Sequence, residues 1–226
     1  MTRPTRASLA GSAYLDLQNR ARRERRGTQE LLTLYVVERW LARLSASAHA
    51  SKFVIKGGML LAAYDARRPT ADLDALARSI ADDQDTVVTL VSEIADMPLD
   101  DGVEFRTDTA TSRIIREQAL YSGVRIAMDT AISTATVKFR IDVDFGDPIT
   151  PAPSWLTLPP LRAGMEPVRV LRYPIETVLA EKIATAIELG PANTRVRDYA
   201  DIYTLTGIHA INHRTPDRRR WSRLPN

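Results

Sequence analysis

The chain has 226 residues, 44% hydrophobic and 26% charged, a globular composition with material for one large domain or two small ones. It has no cysteine, which excludes disulfides, thiolate zinc sites and cysteine nucleophiles, and His49, His209 and His213 are too scattered for a histidine metal cluster. The net charge is a modest +3, no apolar run reaches membrane-spanning length, and no apolar signal core follows Arg3 and Arg6, so a cytoplasmic protein with no membrane partner is expected.

Residues 8–26 and 28–47 read as two helices separated at Gly27-Thr28, with Thr28 placed to cap the second. Leu31, Leu34, Tyr35, Val37, Trp40, Leu41 and Leu44 recur near helical spacing and mark its core face. "KFVIKGG" is a short apolar strand ending in a glycine turn, and "MLLAAYDA" is a helix that Pro69 stops. "ADLDAL" alternates as a strand, and "DDQDTVVTLVSEIADM" is a capped amphipathic helix. From 103 to 146 the pattern is a β meander, clearest where Val137, Phe139, Ile141, Val143 and Phe145 share one face. "DPITPAPSW" and "LPP" read as a proline-rich connector. A strand near 168–171 leads into a helix from 174 to 190, with proline at its start and glycine at its end, and "RVRDYADIYTL" is the last helix. The fold class is α+β, a central mixed sheet with helices at both ends. The expected division is 1–150, holding the N-terminal helices and catalytic core, and 151–226, a C-terminal strand and helices with a basic tail.

Asp72 and Asp74 lie two apart on a predicted strand, so both carboxylates project from one face, where like charges repel unless a cation sits between them. Asp142 and Asp144 form a second such pair. Magnesium takes oxygen ligands, commonly one or two carboxylates plus substrate phosphates, and strands side by side would collect what a two-metal phosphoryl-transfer site needs. A single Asp-x-Asp is otherwise a solvated strand face. Gly57-Gly58 lets the backbone approach a ligand closely and opens a helix whose free amides favour phosphate, although a tight turn needs the same residues.

This order of residues resembles the DNA polymerase β-type nucleotidyltransferase superfamily: two small residues, a short spacer, Asp-x-Asp and a later strand aspartate. Within it, "KGGMLL", "RPTADLD", "RIDVDFGD", "ETVLAEKIATAIE" and "RVRDYADIYTL", spread from Phe53 to Leu205, resemble the AbiEii/AbiGii toxin family, which includes the MenT toxins. The resemblance implies a polymerase β-like fold that holds a magnesium-bound nucleoside triphosphate. It further implies nucleotide transfer to the 3′ acceptor end of tRNA, which blocks translation, and a cognate antitoxin protein. Residue by residue, it implies Asp72 and Asp74 as metal ligands, with Asp142 or Asp144 as the third carboxylate. Gly57, Gly58 and the Thr70 hydroxyl belong at the triphosphate, Lys182 is the lysine of the later helix, and Asp198 is the acid of the final motif. Asp72, Thr70, Lys182 and Asp198 are thus the candidate catalytic residues.

The residues themselves leave alternatives open. Lys182 falls in the apolar stripe of Ile175, Val178, Leu179, Ile183 and Ala186, so its ammonium must meet a phosphate or carboxylate, or snorkel to solvent. Asp198 suits the first turn of a helix without any substrate, and Asp201 is placed to pair with Arg197. Arg195 and Arg197 are candidate phosphate contacts, while Tyr199 and Tyr203 read as packing residues. Arg20, Arg22, Arg23, Arg25 and Arg26 crowd one segment and Arg214, Arg218, Arg219, Arg220 and Arg223 the tail, around acids at 72–108. That distribution suits a polyanion surface beside a metal site, or a solvated helix face and a tail. For a tRNA substrate, Arg22, Arg23 and Arg26 are the candidate contacts. A nucleotidyltransferase with a small-molecule or protein acceptor would instead offer an acidic pocket, and a catalytically inactive nucleic-acid-binding module would gain nothing from acids facing phosphates.

Overall fold

A computed structural model describes residues 3–58, 72–117, 121–146, 149–190 and 194–208. The chain divides into two compact units, Met1–Pro148 with Ser154–Arg172, and Ile149–Pro153 with Tyr173–Asn226. The first unit holds helices α1 (Leu9–Glu24), α2 (Thr28–Ala46) and α3 (Gln84–Ala95). Its strands are β1 (Phe53–Lys56), β2 (Leu73–Ala77), β3 (Glu104–Glu117), β4 (Tyr121–Ile132), β5 (Ala135–Asp144), β6 (Ser154–Leu158) and β7 (Val168–Arg172). They form one mixed seven-stranded sheet in the order β3-β4-β5-β2-β1-β7-β6, parallel at β2–β5 and β1–β7 and antiparallel elsewhere.

Strand periodicity sorts the sheet into two faces. Phe53 and Ile55, Leu73 and Ala75, Ile126 and Met128, and Val137, Phe139, Ile141 and Val143 all join one buried cluster with Leu17 of α1, Trp40 of α2 and Val87 of α3. Trp40 is the centre of this core. Its ring lies 5.9 Å from Phe53, edge-on, and 5.6 Å from Phe139, stacked, and its indole N–H donates to the Val91 carbonyl at 3.3 Å. A ring of this size, apolar but for one satisfied donor, dominates the burial that holds helices to sheet. The opposite face carries polar side chains together with buried Val54, Leu76 and Leu171.

Buried charges on α2 are also partnered. Arg43 donates to Asp101 at 2.6 Å, with its guanidinium 4.9 Å from the centre of the Phe105 ring. Glu38 accepts from the Leu161 N–H at 2.6 Å, and Arg162 reaches Asp16 of α1 at 3.0 Å, which ties the loop between β6 and β7 to both N-terminal helices. Burial pushes the Glu38 carboxyl upward, against the opposing pull of Arg39 and the Leu161 amide.

Three expectations need correction. Gly27, not Thr28, is the N-cap of α2, and Thr28 is the first helical residue, because no side-chain cap forms there. The proline-rich connector contains β6, which pairs antiparallel with β7 from Ser154↔Arg172 to Leu158↔Val168. With β6 and β7 built into the sheet, the division of the chain falls after Arg172 rather than at residue 150, and 149–153 joins the second unit. The expected helix at 59–66 lies outside the described residues.

The second unit is a helical pair, α4 (Ile175–Leu189) and α5 (Val196–Ile208). Pro174 opens α4, and Gly190, with φ +50°, closes it. Thr177 donates to the Thr150 carbonyl at 2.9 Å. Tyr199 and Tyr203, expected as packing residues, are 46% and 83% exposed, and Ile183 of the expected apolar stripe is 42% exposed.

Candidate active site

The polar face of the sheet concentrates its charge in one row. Lys56 of β1 pairs in register with Asp74 of β2, Asp74 with Asp142 of β5, and Asp142 with Arg125 of β4. Residues directly opposite one another point to the same face, so two carboxylates stand side by side with a cation at each end. Period-two alternation adds Asp144 to this face, and Asp72, immediately before β2, lies two residues from Asp74. The two Asp-x-Asp pairs, far apart in the chain, are thus adjacent in the sheet.

Two glycines make the room. Gly57 follows β1 with φ +69°, a conformation that suits glycine, and a Cβ there would lie 1.8 Å from the Asp74 Oδ2. Gly123 of β4 faces Asp144, where a Cβ would lie 2.4 Å from Oδ1. Any side chain at either position would displace a carboxylate.

The acids are held by cations. Asp142 and Asp144 are 7% and 9% exposed, and carboxylates that buried require a partner. Arg125 grips Asp142 with both forks of its guanidinium, Nε to Oδ1 at 2.6 Å and a second bond from Nη2. Lys56 reaches across β2 to an ion pair with Asp144, and Arg140 stands 3.7 Å from Asp72. The hydrogen bonds to Asp142 push the Arg125 guanidinium well above its ordinary range, with the charges of Asp142, Asp72 and Asp74 acting in the same direction.

Carboxylate oxygen is the donor that magnesium prefers. Among the described residues no group of three or more His, Asp or Glu side chains is arranged to hold a metal ion; the carboxylates stand in register on one face, paired with cations.

The structure brings together Asp72, Asp74, Asp142 and Asp144 with Gly57, and Gly58 follows directly. Thr70 lies outside the described residues. Lys182 and Asp198 meet in the second unit, where the Lys182 Nζ lies 2.6 Å from Asp198 Oδ1 and 2.9 Å from Asp201 Oδ2. The ammonium therefore meets carboxylates, and Asp201 faces Lys182 where a pairing with Arg197 was expected. Arg197 is exposed. Arg22 and Arg23 are exposed at the end of α1, whereas Arg26 is taken up by Glu30 at 2.6 Å and Glu24 at 3.3 Å. The basic tail from Arg214 lies outside the described residues. Sequence reasoning missed Lys56, Gly123, Arg125, Arg140 and Asp201. Lys56 left one trace, a cation closing an apolar strand just before the glycines, while Arg125 is legible only through its register with Asp142.

Comparisons with known proteins give a family and a fold. Residues 39–218 match the family model of the nucleotidyl transferase AbiEii toxin, type IV toxin–antitoxin system. No functionally curated protein matches. Among solved structures, the chain is similar to JHP933 from Helicobacter pylori, with a TM-score of 0.53 and 16% identity, over 80% of this chain and 67% of that one. It is likewise similar to a candidate nucleotidyltransferase from H. pylori, with a TM-score of 0.52 and 17% identity, over 80% and 69%. At such identities the likeness is one of fold. Among the described residues no helix is long and apolar enough to cross a membrane.

Proposed function

Because the chain belongs to the AbiEii nucleotidyltransferase toxins of type IV toxin–antitoxin systems, we propose that it is magnesium-dependent and transfers a nucleotide from a nucleoside triphosphate to the 3′ acceptor end of tRNA, blocking translation until its antitoxin intervenes. The observation that carries this reading is the in-register Asp74–Asp142 pair, with Asp72 and Asp144 on the same face and Gly57 beside them.

In the reaction, the acceptor 3′ oxygen bonds to the α-phosphorus, the α–β phosphoanhydride breaks, and pyrophosphate leaves. Bound magnesium supplies activation of the hydroxyl and neutralisation of the leaving pyrophosphate. Asp72 and Asp74 would hold it, with Asp142 or Asp144 as the third carboxylate that the family resemblance implies. Gly57 and Gly58 let the backbone approach the triphosphate, and Thr70 offers its hydroxyl there. Lys56 and Arg125, placed beside Asp144 and Asp142, would offer cations to the triphosphate. The family resemblance further implies Lys182, set by Asp198, as a triphosphate contact, with Arg197 a candidate phosphate contact beside it in sequence.

The test is incubation of the purified protein with total tRNA, magnesium and each labelled nucleoside triphosphate in turn. Label entering tRNA from one donor is the expected result. Triphosphate turnover with no label in any RNA would overturn tRNA as acceptor and favour a small molecule or protein.

A further inference from the structure

The polar face of the sheet does not end at the carboxylates. Beyond Arg125 the row continues to Arg113 of β3, its register partner. Along β4 this face presents Gly123, Arg125, Ala127, Asp129 and Ala131, a shallow floor of small side chains interrupted by the Arg125 guanidinium and the Asp129 carboxylate. The two flanking strands raise cations beside it, Arg106 and Arg113 on β3, with Glu104 at the far end, and Lys138 and Arg140 on β5. Alternation along β5 puts Lys138, Arg140 and Asp142 on the same side, so the trough runs into the site. From Asp142 to Lys138 it covers about 13 Å at the rise of a strand.

These cations are available. The Arg106, Lys138 and Arg140 side chains are each 43–44% exposed. Lys138 pairs with Asp129 at 2.6 Å and Arg106 with Glu104 at a loose 3.9 Å. Exposed pairs of this kind contribute little and yield to a competing phosphate. Arg113 is exposed and has no ion pair among the described residues. By contrast, Arg20 and Arg26 at the end of α1 are tied at 2.6 Å to Glu24 and Glu30.

We propose that this trough on β3–β4–β5 carries the sugar–phosphate backbone of the acceptor RNA strand as its 3′ end enters the carboxylate site. The inference rests on the tRNA reading above and adds where the strand lies and how it is read. Of the trough residues named here none is aromatic, so it offers no stacking platform and recognises charge rather than base identity.

The test uses the full chain with Arg106→Glu, Arg113→Glu and Lys138→Glu combined, leaving Arg140 in place beside Asp72. Binding of labelled tRNA is followed against salt concentration, and triphosphate binding is measured separately. Each lost contact to single-stranded phosphate lowers the log–log salt slope by about 0.7, so the slope should flatten by roughly 2 while triphosphate affinity holds. As a second measurement independent of the triple variant's folding, Arg113→Gln should flatten the slope by about 0.7 and Arg113→Lys should restore it. An unchanged slope in both the triple variant and Arg113→Gln, with wild-type protein still labelling tRNA, overturns the trough and leaves the tRNA reading standing. Wild-type protein that binds triphosphate but neither binds nor labels RNA overturns both.

Discussion

At the scale of single residues, the site depends as much on missing atoms as on charged ones. Gly123→Ala would put a methyl group 2.4 Å from the Asp144 Oδ1, so Asp144 must leave Lys56. Overpacking of this kind costs about 1–3 kcal/mol, and nucleotide transfer should fall further than the stability loss explains; denaturant titration and labelled transfer on the same sample check this. The acids separate by partner. Asp72 is partly exposed and lies 3.7 Å from Arg140, and as a proposed metal ligand it is needed for the chemistry, so Asp72→Ala should abolish labelled transfer. Asp142→Ala strands the guanidinium of Arg125, which is 30% exposed; discounting for that exposure leaves a loss of about 1–3 kcal/mol. An unchanged melting temperature in Asp142→Ala would contradict the bidentate grip.

At the scale of elements, Lys182 decides how α4 meets α5. It is 16% exposed and serves two acids of α5 at once. Lys182→Ala leaves Asp198 and Asp201 without their cation and should lower stability by about 1–3 kcal/mol. A snorkelling lysine would give the opposite, an unchanged or raised melting temperature, and a thermal melt distinguishes them. Much at this scale was legible in the sequence: the β5 alternation, the core face of α2 and the glycine that ends α4 are written in local spacing. β6 was not, because Pro151, Pro153, Pro159 and Pro160 surround a segment that, among the described residues, pairs with β7 alone, and proline is tolerated at a sheet edge. Each Asp-x-Asp could be read alone, but their adjacency is a property of β2–β5 register. For the same reason Arg125, one arginine among many in the sequence, gave no signal until it stood opposite Asp142. The division after Arg172 was hidden likewise, since it depends on β7 pairing with a strand from the beginning of the chain.

For the whole molecule, the sheet order separates neighbours by very different lengths of chain. β3, β4 and β5 lie next to one another in the chain, whereas β2–β5 and β1–β7 join distant segments in parallel. Local pairings form early and long-range parallel ones late, because the intervening chain must first be ordered. Pulse-labelled hydrogen exchange during refolding should therefore protect amides of β3–β5 before those of β1 and β7; simultaneous protection would show a sheet that closes in one step. This order matters to the cell that makes the protein. Domains form as the chain is synthesised, N-terminal parts first, yet Asp74 has no Asp142 beside it until β5 has emerged, and β1 lacks its outer neighbour until β7 has followed. The ribosome producing this toxin therefore works beside an unassembled enzyme for most of each round of synthesis, a built-in delay between making the poison and arming it.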